Sequence, residues 1–181
     1  QVKNIMAGYG RDVVLVSHSR DEVYYLCSRT AVMSGGRILR TDETKKLFAD
    51  PGSRAGAELT GCKNIAAARK TGEYEVEVPE WGIRLRTGQP VGDGVCAVGL
   101  RAHYFHPRAR ENVFPVRYSS EREEPFEMRI LFRYEGQREG TPDLWWRLPK
   151  DRTPGVMPEK LGIAPKNVLL LYPEQKQEEE K

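Results

Sequence analysis

No apolar run in this chain approaches the ~18 residues that a membrane-spanning helix needs, and no secretory-signal pattern is recognisable in it. Only three cysteines are present, Cys27, Cys62 and Cys96. They are odd in number, widely spaced and free of any C-x-x-C, which excludes a disulfide framework and predicts reduced thiols in a cytoplasmic compartment. No G-x-x-x-x-G-K-[ST] occurs, so the chain has no glycine loop whose amides could cradle phosphates and no lysine to meet the outer ones. Nor does an apolar strand end in adjacent acidic residues that could hold magnesium. Histidine is scarce as well: His103 and His106 lie close together, but no cysteine or further histidine is near enough to complete a zinc set, so solvated edge residues are the expected reading. The net charge of +3 is too small to imply nucleic acid by itself.

What is present is the composition of a soluble globular protein. The 181 residues are 39% hydrophobic and 30% charged, enough for one or two domains with a real core. Val2, Ile5, Met6 and Tyr9 follow the i, i+3, i+4, i+7 stripe of an amphipathic helix, with Gly10 suited to its end. Val13 to Val16 is a continuous β-branched and leucine run, which predicts a strand covered on both faces. His18 then stands at the carboxyl end of that strand, where open α/β sheets place their ligands. Ser19 and Glu22 fit the S-x-x-E capping box, so a helix is expected to begin one residue after the histidine. A chain beginning with Gln1 is expected to have its natural start elsewhere.

Arg20 to Ile38 reads as a helix with Val23, Leu26 and Cys27 inward, then Thr30 to Met33 and Arg37 to Leu39 joined by Gly35-Gly36 as a hairpin turn. Thr41 to Leu59 follows, with Phe48-Ala49-Asp50-Pro51 within it. In order, spacing and punctuation this first third resembles the switch-histidine region and closing helices of ABC transporter ATPase subunits, nearest to the molybdate and related oxyanion importers. The resemblance implies that His18 is a catalytic residue, reaching the γ-phosphate and helping to hold the attacking water. It also implies ATP and Mg as cofactors of a complete protein. The family usually has Asp-Gln where Ser19-Arg20 stands here, and its Leu-Ser-Gly-Gly signature is absent. With most of the phosphoryl-transfer parts missing, this chain alone is expected to be inactive toward ATP and to hold no cofactor.

After Gly61-Cys62-Lys63-Asn64 the pattern changes to alternating strands. Tyr74, Val76 and Val78 face one way, and Glu73, Glu75 and Glu77 the other. Further strands are expected over Gly82 to Arg86, Val95 to His103, Val113 to Tyr118, Phe126 to Tyr134, Leu144 to Leu148 and Asn167 to Tyr172, separated by Gly, Pro and Asp clusters. Such spacing suggests a small antiparallel barrel of OB-like type. Val98-Gly99-Leu100-Arg101-Ala102-His103 and Arg110-Glu111-Asn112-Val113-Phe114-Pro115 resemble motifs of the regulatory barrel that follows the ATPase in the same importers. Arg101, Asn112 and Arg117, with Arg108 and Arg110 among them, form a donor-rich stretch that could receive an oxyanion; the plainer reading is a charged barrel exterior. Trp145-Trp146 puts one indole on each face of a strand, one in the core and the other at the surface or an interface.

The fold class expected is therefore α+β: the C-terminal fragment of an α/β nucleotide-binding domain over 1–60, an OB-like barrel over 61–173, and a charged tail over 174–181. The function expected is the C-terminal regulatory portion of the ATP-binding subunit of an ABC importer for an oxyanion such as molybdate. Partners implied are a second ATPase subunit in a homodimer and transmembrane permease subunits, with no nucleic acid. That places the protein in the cytoplasm, peripheral on the inner membrane face. The alternative is a stand-alone oxyanion-binding module, which leaves residues 1–60 without a role. A lone buried strand cannot make a sheet, so residues 1–40 should leave apolar surface uncovered or borrow a partner chain.

Overall fold

The computed structural model describes residues 8, 10 and 12–174. The predicted helix over Val2 to Tyr9 and the tail after Glu174 lie outside the described residues. Helix α1 (Arg20–Leu26) is capped by Ser19. It leads into a hairpin of β1 (Arg29–Ser34) and β2 (Arg37–Glu43). Gly35 and Gly36 both have positive φ, 57° and 75°, the backbone that a two-residue type I′ turn requires and that glycine adopts without steric cost. Two six-residue helices follow, α2 (Thr44–Ala49) and α3 (Arg54–Leu59). Ser53 caps α3 by accepting from Gly56 N at 3.2 Å. The hairpin is tied to α2 by the Thr30 and Thr44 hydroxyls, 2.7 Å apart, and by Thr44 N donating to Ser28 O.

The rest is β-structure: β3 (Asn64–Ala67), β4 (Arg69–Gly72), β5 (Glu75–Val78), β6 (Ile83–Arg86), β7 (Ala97–Leu100), β8 (Val113–Glu123), β9 (Glu127–Tyr134), β10 (Leu144–Pro149), β11 (Lys160–Gly162) and β12 (Val168–Leu171). They form three sheets, ordered β10-β9-β8-β11, β12-β7-β3 and β4-β5-β6, with every pairing antiparallel. All three contribute to one core: Val76 and Leu85 from one, Val98, Leu100 and Leu170 from another, Ile130, Phe132 and Trp146 from the third. Period-2 alternation explains the choice, because on β9 it is Ile130, Phe132 and Tyr134 that are buried and the residues between them that are not. A smaller cluster of Ala57, Cys62, Ala97, Leu169 and Leu171 lies on the other face of β12-β7-β3. There α3 covers the sheet. The Val-Leu-Leu-Leu of β12 is buried at all four positions because both of its faces are packed.

Three expectations need correction. Val13 to Val16 is not a strand: it pairs with nothing among the described residues, and Val14 and Val16 are 90% and 91% exposed. A strand gains its ladder bonds and its buried faces only from neighbours, and none is supplied here. The second region does not form a closed OB-like barrel, since its three sheets remain separate ladders packed about one core. The expected strand over Val95 to His103 is shorter, giving way after Leu100 to a 3-10 turn at Ala102–Tyr104. Strands β3, β4 and β11 were not expected. β3 is the alanine stretch, whose small side chains suit the crowded position beside β7.

The β5–β6 turn and the loop after β9 approach each other backbone to backbone. A Cβ at Gly82, where φ is 64°, would run into the carbonyl of Gly136, whereas one at Gly140, with φ 76°, would meet open space. Gly82→Ala is therefore expected to lower unfolding free energy by about 3 kcal/mol and Gly140→Ala by only about 1 kcal/mol, because the second carries backbone strain without the clash. Urea denaturation of the two variants checks the difference.

Candidate functional site

The loop before α1 is shaped by a relay of serines. Ser19 N donates to Ser17 Oγ at 3.0 Å, Ser17 Oγ donates to Glu22 Oε2 at 2.9 Å, and Glu22 N donates to Ser19 Oγ at 3.3 Å. The capping box expected from Ser19 and Glu22 thus forms with Ser17 inserted into its return arm. This fixes the bend on which His18 sits, exposed and without a hydrogen bond or ion pair to any other described residue. Val14, Val16 and Tyr25 are exposed, as are Met33 and Ile38 on the hairpin. Val23, Leu26 and Cys27 are partly buried, as their inward placement predicts, and Tyr24 meets Phe48 of α2 edge-on with ring centroids 5.0 Å apart.

A histidine can hold or pass a proton beside a phosphate, but no phosphate cradle accompanies it. No group of three His, Cys, Asp or Glu residues able to hold a metal ion occurs among the described residues. Among the described residues, one shallow depression is lined in part by Asp50, Gln89 and Lys166 and another by Tyr118, Glu121 and Met157; neither includes His18.

Arg101 and Asn112 each commit their polar atoms to partners outside the arginine stretch. Arg101, 9% exposed, directs its guanidinium at main-chain groups: Nη1 donates to Thr60 O at 2.7 Å, and Nη2 donates to Phe48 O at 2.6 Å and to Thr60 Oγ1 at 3.1 Å. Asn112, the one non-glycine residue with positive φ (49°) among the described residues, is equally committed. Its Oδ1 accepts from Arg86 N at 2.7 Å and its Nδ2 donates to Arg86 O at 2.9 Å, so the side chain pairs with β6 as a neighbouring strand would. Arg117 is exposed on β8, opposite Arg133 of β9. Arg108 and Arg110 are exposed as well.

His106 uses Nδ1 to accept from Arg108 N at 2.9 Å and pairs through its backbone with Gly162. His103 lies against Tyr104, with ring centroids 4.3 Å apart. Its pKa is lowered, first by partial burial and then by the positive charges of Arg101, Arg147 and Arg20, with Glu127 opposing. The two adjacent tryptophans divide as expected: Trp146 is in the core, with Nε1 donating to Phe105 O. Trp145 is half-buried on the other face, with Arg129 and Lys63 both stacked on its ring system.

One residue that sequence reasoning missed is Asn64. Its Nδ2 donates to Leu100 O and Trp145 O, and its Oδ1 accepts from Trp145 N, locking β3 to both β7 and β10. Asparagine after a glycine turn ordinarily signals a loop, so nothing local pointed to this brace.

No family model matches the chain. It is 32% identical over 114 residues to a spermidine/putrescine import ATP-binding protein of Nitrosomonas europaea, covering 59% of this chain and 32% of that protein. It is 27% identical over 99 residues to an Fe(3+) ions import ATP-binding protein of Streptomyces avermitilis, covering 54% of this chain and 28% of that protein. Over a shorter stretch of 50 residues it is 36% identical to a methionine import ATP-binding protein of Salmonella typhimurium, 28% of this chain and 15% of that one. The chain thus spans about a third or less of the relatives it matches. They are ATP-binding subunits of importers, and their names single out polyamine, ferric iron and methionine rather than molybdate.

Two measurements follow from this geometry. Between the ordinary histidine value of 6.5 and the lowered folded one, the unfolded chain takes up a proton at His103 that the folded chain refuses. Stability present above pH 6.5 should therefore be lost as pH falls, and His103→Gln should flatten that part of the curve when urea midpoints are plotted against pH. The double substitution Val14→Ser, Val16→Ser should leave the unfolding free energy from urea denaturation within about 0.5 kcal/mol of the parent, because these side chains have little packing to lose. Binding of a hydrophobic dye should fall in the same variant.

Proposed function

We propose that this chain is the C-terminal part of the ATP-binding subunit of an ABC importer. Residues 1–60 would be the closing segment of its nucleotide-binding domain, residues 61–173 its regulatory β-structure and residues 174–181 a charged tail. The observation that carries the proposal is the order of elements after His18: a capped helix, a glycine hairpin and two short helices, preceded by a Val-Val-Leu-Val run that pairs with no strand among the described residues and exposes Val14 and Val16. A run of that composition is favoured when sheet neighbours cover its apolar side chains. The similarity to importer ATP-binding proteins supports reading the rest of a nucleotide-binding domain as the neighbour of that run.

In the complete protein, ATP and magnesium would be held by a phosphate loop outside this sequence, and His18 would reach the phosphate from the end of the restored strand. The β-structure would mediate pairing of two such subunits. The subunit would work with transmembrane permease subunits from the cytoplasmic face; none of the described helices is long and apolar enough to cross a membrane itself. The relatives name three different cargoes, and Arg101 and Asn112 direct their polar atoms at main-chain groups. The proposal therefore stops at import and assigns no oxyanion. A stand-alone binding module leaves the helical segment before residue 60 without a purpose, and no observation favours it.

The test is to read the coding frame upstream of residue 1 and to assay both forms. The chain alone should hydrolyse no ATP above the blank. A version extended in frame to include an upstream G-x-x-x-x-G-K-[ST] should hydrolyse it, and His18→Ala in that version should lower the rate by about a hundredfold or more. An upstream frame without such a loop would sink the proposal.

A further inference from the structure

Arg101 stands immediately after β7, and its side chain crosses to the far end of two helices that come much earlier in sequence. Each six-residue helix leaves its last carbonyls without intrahelical partners. Phe48 lies in the last turn of α2, and Thr60 caps α3. Arg101 donates to both carbonyls, at 2.6 and 2.7 Å, and to Thr60 Oγ1, which itself donates to Gly56 O at 2.8 Å. A cation is favoured there by the partial negative charge of both helix ends. A planar guanidinium also places its donors on separate nitrogens of a rigid fork, whereas a lysine ammonium must serve both carbonyls from a single nitrogen.

The contacts continue outward from this fork. The Phe48 ring meets Tyr24 of α1, and α1 begins at the His18 bend. Arg20, the first residue of α1, lays its guanidinium on Gly61, where φ is 91° and a Cβ would collide with it. The loop between α2 and α3 is held separately, by Tyr172 N donating to Gly52 O at 2.9 Å and by a parallel bridge between Ser53 and Tyr172. The three helices are therefore fastened to the β-structure at a few polar points and at the small cluster beneath α3.

We propose that Arg101 is a latch that couples the seating of the helical segment, and with it the position of the His18 bend, to strand β7. With the fork engaged, α1, α2 and α3 are held in one arrangement against the β12-β7-β3 sheet. With it released, the segment loosens as a unit about Gly61 while the three-sheet core stays intact. The inference rests on these contacts and not on the ATP-binding reading, so it can fail or hold whatever lies upstream of residue 1.

Hydrogen exchange read by mass spectrometry on the full chain tests it. In Arg101→Lys, amides of residues 20–27 and 44–60 should exchange about tenfold faster, while residues 127–148 stay within about twofold of the parent. Thr60→Val keeps the side-chain shape and removes one acceptor, and should give the same pattern at smaller amplitude; it serves if the first variant does not fold. Uniform acceleration across the chain would overturn the proposal, reducing Arg101 to general support of the core. Acceleration confined to 44–60, with residues 20–27 unchanged, would overturn it too, because the coupling would then stop short of the His18 bend.

Discussion

The structure depends on one sheet, β12-β7-β3, being packed on both faces. On one side Val98, Leu100, Val168 and Leu170 join the main core; on the other Ala97, Leu169 and Leu171 meet Ala57 and Cys62. Small residues make the second face possible: Gly99 stands where a Cβ would already touch Cys62 Sγ at 3.0 Å. Close packing of this kind is sensitive to volume. Burial also pushes the Cys62 thiol up to about 11, so at neutral pH it remains a protonated, apolar component of the seam. The helical segment and the β-structure thus share an apolar contact as well as the Arg101 fork.

Two apolar runs of similar composition have opposite fates, and the contrast shows what a sequence can and cannot disclose. Val168 to Leu171 finds strands at its edge and packing on both faces. Val13 to Val16 finds no strand among the described residues and leaves Val14 and Val16 exposed. Composition says that each must be covered. It does not say whether the cover is within the chain. The hairpin at Gly35-Gly36 and the cap at Ser19 were legible because turn and cap chemistry is local, set by residues within three or four positions. The tryptophan pair was legible for the same reason, since adjacent residues on a strand face opposite ways. The closed barrel was not, because whether strands join end to end depends on pairings between distant segments.

The candidate site shows the same division. The sequence gives His18 its place one step ahead of a capped helix, and the bend there is held by the serine relay around Glu22. The arginine stretch was grouped by nearness along the chain, yet Arg101 reaches back to residues 48 and 60 and Asn112 to residue 86. A buried arginine or asparagine is recognised by unpaired main-chain groups that only the fold brings within reach. Spacing in sequence carries no trace of them.

Asn112 has a consequence for how the protein ages. Its Nδ2 faces a carbonyl and its Oδ1 faces an amide hydrogen, so the brace works in one orientation and with one functional group. Spontaneous loss of the side-chain nitrogen as ammonia would set a carboxylate oxygen against the Arg86 carbonyl and push the β6 edge away. Val113 follows, and its branched Cβ hinders the five-membered ring through which that chemistry proceeds. The side chain and its successor together protect a joint that a single hydrolysis would undo.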